Sequence, residues 1–450
     1  MLNDIAIWGT LVAALIFLVL DKRRGAGALV LAYFLILSLG HVPGVLVYLY
    51  PNSFWVHLEA TKIGFDVTLI GMTAFIAGAM AARMMPMRTT SAKVFQPALR
   101  HDTLSWLSHR TLIIGICVYF VLSPAAGIVP SLTAMMSAGG ELLVLGLWFW
   151  VYSAETAKDN RKVFLIFAML PLLPLSTLVT GGFIGYGTSW VLSIVAFYFV
   201  IARRRIWFYI ATPAVIFLGL SLFVTYTQQR EDIRDVIWYQ DSGIVQRLSQ
   251  VSKLVTDFEF LDLSNELHQF GLDQRLNQNF LVGTGVIGHR QGLSQLWYGA
   301  TVPLWAIIPR AIWPDKPPVA GSGDLASEFT GIEFAQGTSV GIGQVLEFYM
   351  NFGMAGVLVG FAGFGFILMR LDRMMISALA VADIDRALKS GLLGLSMLAP
   401  MGSLSEILVS LCGAFVVSQL LVRSKLFVPP FTQEPNAKLS GRTMRMTVRR

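Results

Sequence analysis

The feature that most constrains this chain is a succession of apolar runs, each about as long as a bilayer is thick. Residues 5–20 (IAIWGTLVAALIFLVL) carry no charge. A helix crossing ~30 Å of hydrocarbon needs about 20 such residues. Further runs lie near 26–49, 63–85, 111–130, 141–157, 163–180, 186–202, 206–227, 343–369, 386–402 and 404–422. They are continuous rather than alternating, which excludes a transmembrane β-barrel. Composition agrees: 55% of residues are hydrophobic and 14% charged, where a soluble domain carries about 25% charged residues. The expected fold is all-α, a polytopic helical membrane protein with about 11 transmembrane helices. Cys117 and Cys412 fall inside apolar runs and read as packed thiols, with no CxxC, zinc spacing or disulfide framework.

The charges between the runs orient the chain. Asp21-Lys22-Arg23-Arg24 follows the first run, whereas a signal peptide has its basic residues in front of the apolar core. Residues 1–20 therefore read as a first crossing with its N-terminus outside. Alternate turns are basic: Lys22 to Arg24; Arg88, Lys93, Arg100 and Arg110; Lys158, Arg161 and Lys162; Arg203 to Arg205; Arg370, Arg373, Arg386 and Lys389. The intervening turns 51–62, 131–140 and 181–185 hold one basic residue, Lys62. By the positive-inside rule the C-terminus is cytoplasmic and the long segment 228–342 is outside. That segment carries eight basic and thirteen acidic residues, a net −5, which leaves +12 on the rest of the chain. The basic residues elsewhere flank helices, so the overall +7 does not point to nucleic acid.

Four regions follow: a bundle of about eight helices over 1–227, a large late loop over 228–342, about three helices over 343–422, and a basic tail over 423–450 that reads as disordered. A structureless loop as long as 228–342 would be unusual, and structured long loops are usually functional. Within it, Val245, Leu248, Val251, Leu254 or Val255, and Phe258 recur at roughly helical spacing. Residues 293–309 are apolar, aromatic and broken by Pro303, which suggests an interfacial or re-entrant segment.

Three clusters could carry chemistry. In Gln228-Gln229-Arg230-Glu231-Asp232-Ile233-Arg234, the two arginines are i,i+4 neighbours on one helical face. Two guanidiniums so placed suit a pyrophosphate, although interfacial anchoring explains them equally well. In Ile308-Pro309-Arg310-Ala311-Ile312-Trp313-Pro314-Asp315-Lys316-Pro317-Pro318, the prolines stiffen the backbone around Arg310 and Lys316. Trp305 and Trp313 suit a lipid–water boundary. In Gln344-Val345-Leu346-Glu347-Phe348-Tyr349-Met350-Asn351-Phe352-Gly353, Glu347 falls in or near the membrane, where an ionisable residue is costly and defaults to a functional reading. The alternative is a counter-ion for a nearby arginine. His289-Arg290 could supply a base and a cation, while Asp66 and Glu406 read as structural.

The order of these features resembles the bacterial O-antigen and exopolysaccharide repeat-unit polymerases (Wzy-like). The residues that carry the resemblance are Pro309-Arg310, Trp313-Pro314 and Lys316-Pro317, then Glu347 and Asn351-Phe352-Gly353, within roughly 228–356. Elsewhere only hydropathy agrees. The resemblance implies a GT-C-like membrane glycosyltransferase of the bacterial inner membrane with a periplasmic loop. It would move a growing glycan from undecaprenyl pyrophosphate to a sugar hydroxyl on a new lipid-linked repeat, with no cofactor and possible contact with a chain-length regulator protein. No Rossmann motif is evident in the sequence. Arg230, Arg234, Arg290, Arg310, Lys316, Trp313 and Asn351 would bind pyrophosphate or glycan, and Glu347, or else His289, would take the hydroxyl proton. An O-antigen ligase, passing glycan to lipid A core, shares this architecture. A lipid-linked oligosaccharide flippase or transporter would favour interrupted helices and a pseudo-repeat, and no repeat is found.

Overall fold

In the computed structural model the described residues are 1–20, 27–51, 53–86, 101–122, 133–202, 206–239, 243–297, 302–308, 312–313, 315, 323–334, 340–424 and 426–427. Among them every element is helical: α1 (Leu2–Leu20), α2 (Ala28–Val47), α3 (Leu58–Met84), α4 (His101–Ile116), α5 (Thr133–Ala157), α6 (Asn160–Met169), α7 (Leu172–Gly181), α8 (Ile184–Ile201), α9 (Ile206–Arg234), α10 (Ile244–Thr256), α11 (Glu266–Arg275), α12 (Gln278–Arg290), α13 (Val302–Ala306), α14 (Gly323–Thr330), α15 (Gly343–Ala380), α16 (Ile384–Leu395) and α17 (Leu404–Arg423). Among the described residues, eight candidate spans are long and apolar enough to cross a membrane: Leu2–Leu20, Ala28–Val47, Trp55–Met84, Asp102–Leu122, Asn160–Gly181, Ile184–Ile201, Gly343–Ala380 and Leu404–Arg423. The chain is a helical, multi-pass membrane protein. The tail from 428 onward lies outside the described residues.

Three of the expected runs lie in helices whose bounds depart from the apolar run itself. The 386–402 run is helical only to Leu395, and twelve residues rise about 18 Å, short of the hydrocarbon core. Residues 396–403 complete it as non-helical backbone. The 141–157 run sits in a longer helix, α5, that carries Glu141 and Glu155. The 206–227 run is the body of α9, which continues through the polar residues 228–234.

α15 is the largest departure from a simple crossing. Gly353 adopts φ +62° and ψ −153°, a conformation that only glycine takes readily. The chain reverses there. A Cβ on Gly356 would lie 2.4 Å from the Phe348 carbonyl oxygen, and one on Gly360 would lie 2.5 Å from the Phe348 ring. In a continuous helix, residues eight apart are about 12 Å from one another. Residues 343–352 and 354–380 are therefore antiparallel arms of a hairpin, with Phe348 packed against Phe361 and Phe364 at 5.6 and 5.9 Å. The short arm folds back along the long one. Within 293–309, expected to be interfacial or re-entrant, the described residues include the five-residue α13, which packs beside α17.

The two faces of the bundle differ. On one, arginines hold helix C-termini: Arg373 donates to the carbonyls of Ala82, Arg83 and Met85, Arg83 to Leu18, and Arg110 to Leu426. On the other, α11 and α12 dock on the helix ends at 44–48 and 60–64. There the Gly44 N–H donates to Leu276 O, the Tyr48 hydroxyl donates to Asp273, and Gly64 abuts the Asn279 carbonyl. The long loop is thus a helical cap on one face, stitched to it by buried polar contacts.

Candidate functional site

The site is built where the interrupted elements converge. Non-helical backbone at bilayer depth needs internal hydrogen-bond partners, and two glutamines supply them. The Gln344 backbone N–H donates to Pro400 O and its Nε2 to Ala399 O, both at 3.0 Å, while its Oε1 accepts from the Tyr33 hydroxyl. Gln278 Nε2 donates to Gly341 O at 3.0 Å and reaches Met401 O at 3.4 Å. This holds residues 399–401 against the short arm of α15 and fixes the head of α17.

That head is capped twice. Ser403 Oγ accepts from the Glu406 N–H, and Glu406 Oε2 accepts from the Ser403 N–H, each at 3.1 Å, forming a capping box. One turn along the short arm from Gln344, Glu347 is 3% exposed. Its Oε2 accepts from the Leu404 N–H at 2.5 Å. The described partner of Glu347 is thus a helix N-terminus, where a carboxylate satisfies an orphan donor and complements the helix dipole. Asn351 is buried, donating Nδ2 to Glu347 O and accepting from the Trp297 N–H through its own carbonyl.

Glu406 is exposed, and its charge reaches both Glu347 and Tyr186. Tyr186 begins an aromatic wall. It meets Phe183 at 6.0 Å, and Phe183 meets Trp238 at 5.5 Å. The Arg234 guanidinium packs against both of these last two rings, 4.7 Å from Phe183 and 4.6 Å from Trp238. Gly182 shapes this end of the wall. Its φ of +74° closes α7, and the Gly181 and Gly182 carbonyls accept from Trp238 Nε1 at 3.1 Å and the Tyr226 hydroxyl at 3.0 Å. The Tyr226 hydroxyl is also in hydrogen-bond reach of Arg230. Beyond it stands Arg275, whose guanidinium is pulled below the ordinary arginine value by the crowding protein and then by the charge of Arg230, although its side chain still reaches solvent. Among the described residues, none of these three arginines forms an ion pair with a carboxylate.

Comparison with family models, with curated proteins and with solved structures finds no match for this chain. Its chemistry rests on the geometry alone.

The residues singled out in the sequence divide accordingly. Arg230 and Arg234 lie on one helix; Arg234 packs on the Phe183 and Trp238 rings and Arg230 is near Tyr226 and Arg275. His289 ends α12 with Nδ1 at 2.9 Å from Ser294 O and its ring edge-on to Tyr349 at 6.1 Å. A neutral ring in that bond leaves Nε2 as the acceptor. Arg290 is exposed beside it. Trp313 is exposed and packs on Trp305 at 6.5 Å. Arg310 and Lys316 lie outside the described residues. Asp66 is exposed on α3, within charge reach of Asp4 and Lys62. Among the described residues no group of three or more His, Cys, Asp or Glu is arranged to hold a metal ion. Sequence reasoning passed over Arg275, Tyr186 and the Phe183–Trp238 pair. Only the role of Glu406 was signalled locally, by Ser403-x-x-Glu406.

Proposed function

We propose that the protein polymerises undecaprenyl-pyrophosphate-linked oligosaccharide repeats at the periplasmic face of the bacterial inner membrane. The observation that carries this reading is the juxtaposition of buried and exposed carboxylates, Glu347 and Glu406, with an exposed aromatic wall leading to three arginines that form no ion pair with a carboxylate among the described residues. An amphipathic sugar–pyrophosphate needs these three features: a proton acceptor, flat apolar surface and cations for the leaving group. In the transfer, an acceptor hydroxyl oxygen bonds to the anomeric carbon of the donor glycan. The bond from that carbon to the pyrophosphate oxygen breaks, and the hydroxyl proton passes to the base. Glu347 is the first candidate through Oε1, and His289 the second through Nε2. Arg230, Arg234 and Arg275 stabilise the departing undecaprenyl pyrophosphate, joined from the proline-rich segment by Arg310 and Lys316.

Deleting the gene and resolving lipid-linked glycans on a gel tests the reading. Accumulation of single repeats supports a polymerase, and long chains without attachment to lipid A core support a ligase. A transporter is the second reading favoured by a specific observation, since both α15 and the 384–403 crossing are interrupted. It predicts lipid-linked repeats trapped on the cytoplasmic leaflet, out of reach of added periplasmic glycosidase. The orientation is checked with a cysteine at Gln291, exposed next to α12, which a membrane-impermeant thiol reagent labels in intact spheroplasts if the loop is periplasmic.

A further inference from the structure

The apolar residues of α10 do not form one face. Val251 and Leu254 are buried in a cluster with Leu178, Ile184, Tyr226 and Ile233. Ile244, Val245, Leu248 and Val255 are 67, 75, 52 and 73% exposed, so more apolar surface is open than covered. At 3.6 residues per turn the helix has three adjoining sectors. Gln250, Val251, Leu254 and Arg247 face the protein, where Arg247 reaches Ile237 O. Ile244, Val245, Leu248 and Val255 form the next sector, with Ser252 among them, its hydroxyl donating to Ser249 O. Gln246, Ser249 and Lys253 form the third, which is polar and exposed. A helix bound to protein and otherwise in water needs one apolar sector. A helix at the edge of a bilayer meets three environments and needs this pattern.

Two further observations name the occupant of the second sector. The protein-facing side of α10 packs on the last turn of α7, the first residue of α8 and the end of α9, which is the level where crossing helices stop. The apolar sector also continues into exposed apolar surface of α9, whose residues 206–227 form an uncharged apolar run of spanning length. Val215, Ile216, Phe217 and Leu218 of α9 are all exposed, and Phe217 stacks on the exposed Phe260 at 6.1 Å and 11°, a few residues beyond Val255. We propose that α10 lies in the interface of the loop-side leaflet, with Ile244, Val245, Leu248 and Val255 in the acyl region and Lys253 toward water. It is a membrane-seated helix of the kind that binds in the plane of the bilayer. The inference does not depend on the proposed transfer reaction.

Site-directed fluorescence on the full-length protein tests it. In a Cys117→Ser, Cys412→Ser background, single cysteines at Val245, Leu248, Val255, Ser249 and Lys253 are labelled with bimane and reconstituted into phosphatidylcholine vesicles. The expected result is blue-shifted emission at Val245, Leu248 and Val255, quenched by phosphatidylcholine brominated near the headgroup end of its chains and not by iodide. Ser249 and Lys253 should show the reverse. The proposal is overturned if iodide quenches Leu248 and Val255 as it does Ser249. It is equally overturned if those positions are protected from both quenchers, which would mean that protein, such as a second copy, covers the face. All five positions are exposed, so monodisperse elution before reconstitution is expected, and each lipid-sector position reports independently if another misfolds.

Discussion

Replacing Glu347 by Gln separates what this side chain does for the fold from what it does for chemistry. The substitution keeps shape and an acceptor oxygen, so the Leu404 N–H is not orphaned. What it removes is charge. A hydrogen bond to a charged group contributes roughly 1.5–3 kcal/mol against about 1 kcal/mol for a neutral one. Loss of a carboxylate at a helix N-terminus costs about 0.3–2 kcal/mol. Counting the same charge once, the expected destabilisation is about 1–2 kcal/mol. Glu347→Ala leaves the Leu404 N–H without its partner and should cost a further ~1–3 kcal/mol. If Glu347 is also the base, the Gln variant loses about 10²–10⁴ in rate, far more than its stability loss can explain below the melting temperature. Thermal unfolding in detergent, followed by tryptophan fluorescence, is measured beside the initial rate of repeat transfer. Wild-type activity with a modest melting shift leaves Glu347 as a helix cap and moves the base to His289. A loss of 3–5 kcal/mol would indicate an unpaired buried arginine, which contradicts the Leu404 contact. Unchanged melting refutes the cap, and unchanged melting with unchanged activity refutes both roles.

Three other outcomes follow from close contacts. A Cβ on Gly283 would lie 1.7 Å from Ala60 O, so Gly283→Ala should force α12 from α3 and cost about 1–3 kcal/mol; Gly288→Ala, whose Cβ would sit 3.7 Å from Phe329 O, should be neutral or stabilising by up to ~1 kcal/mol, and equal effects on thermal unfolding would refute the close α3–α12 approach. Glu259 is held below its ordinary value of 4.5 by the hydrogen bond from His268 and then by that from Gln228, so its carboxylate stabilises the loop above about pH 4.5 and that contribution is lost as pH falls through the depressed value; Glu259→Gln should lower the melting temperature above that range and converge with wild type below it, and a constant offset at all pH would contradict the linkage. Arg234→Lys should keep the fold but lower repeat transfer by about 10²-fold, because an ammonium replaces a planar cation packed on two rings, and full transfer at normal expression would remove Arg234 from the site.

Long, uniformly apolar crossings were legible because their signal is local. Residues 186–202 became Ile184–Ile201 and 404–422 became Leu404–Arg423, and Ser403-x-x-Glu406 marked the latter start. Hydropathy could not reveal the α15 hairpin, since both of its arms are apolar. The cue was Gly353 followed by Gly356 and Gly360, small residues that allow one arm to lie on the other. Ala399-Pro400-Met401-Gly402 likewise marks the end of regular helix, but a hydropathy window reads across it. For α10 the spacing was visible, but spacing alone does not tell one broad apolar face from two that meet different solvents. At the site, Glu347 stood out as a costly acid, whereas its partner is 57 residues away in sequence. Arg234 was paired with Arg230 by helical spacing, whereas its contacts with Phe183 and Trp238 are tertiary. Arg275 carried no local signal because its significance arises from Arg230, on another helix.

The interrupted crossings also bear on the choice between enzyme and transporter. In transporters, broken helices expose unwound carbonyls and half-helix C-termini that coordinate ions, while half-helix N-termini face anionic substrate. Here the carbonyls of Pro400 and Ala399 already accept from Gln344, and that of Met401 is within reach of Gln278. The α17 N-terminus is occupied by Glu347 and by its own capping box. The carbonyls of the break are therefore closed by side chains of the same protein, although Gln278 Oε1 and Ser405 Oγ beside it are buried without a hydrogen-bond partner among the described residues. Such a junction holds Glu347 and Glu406 in place and presents no row of free carbonyls to an ion. Gln344 makes the distinction measurable. Gln344→Leu removes a donor to Ala399 O and an acceptor for Tyr33 while keeping an apolar shape. If the junction is scaffold, the variant should melt earlier and lose activity in parallel with folded protein. If the junction were a transport gate, the variant would retain its melting temperature while losing activity, and the scaffold argument would fail.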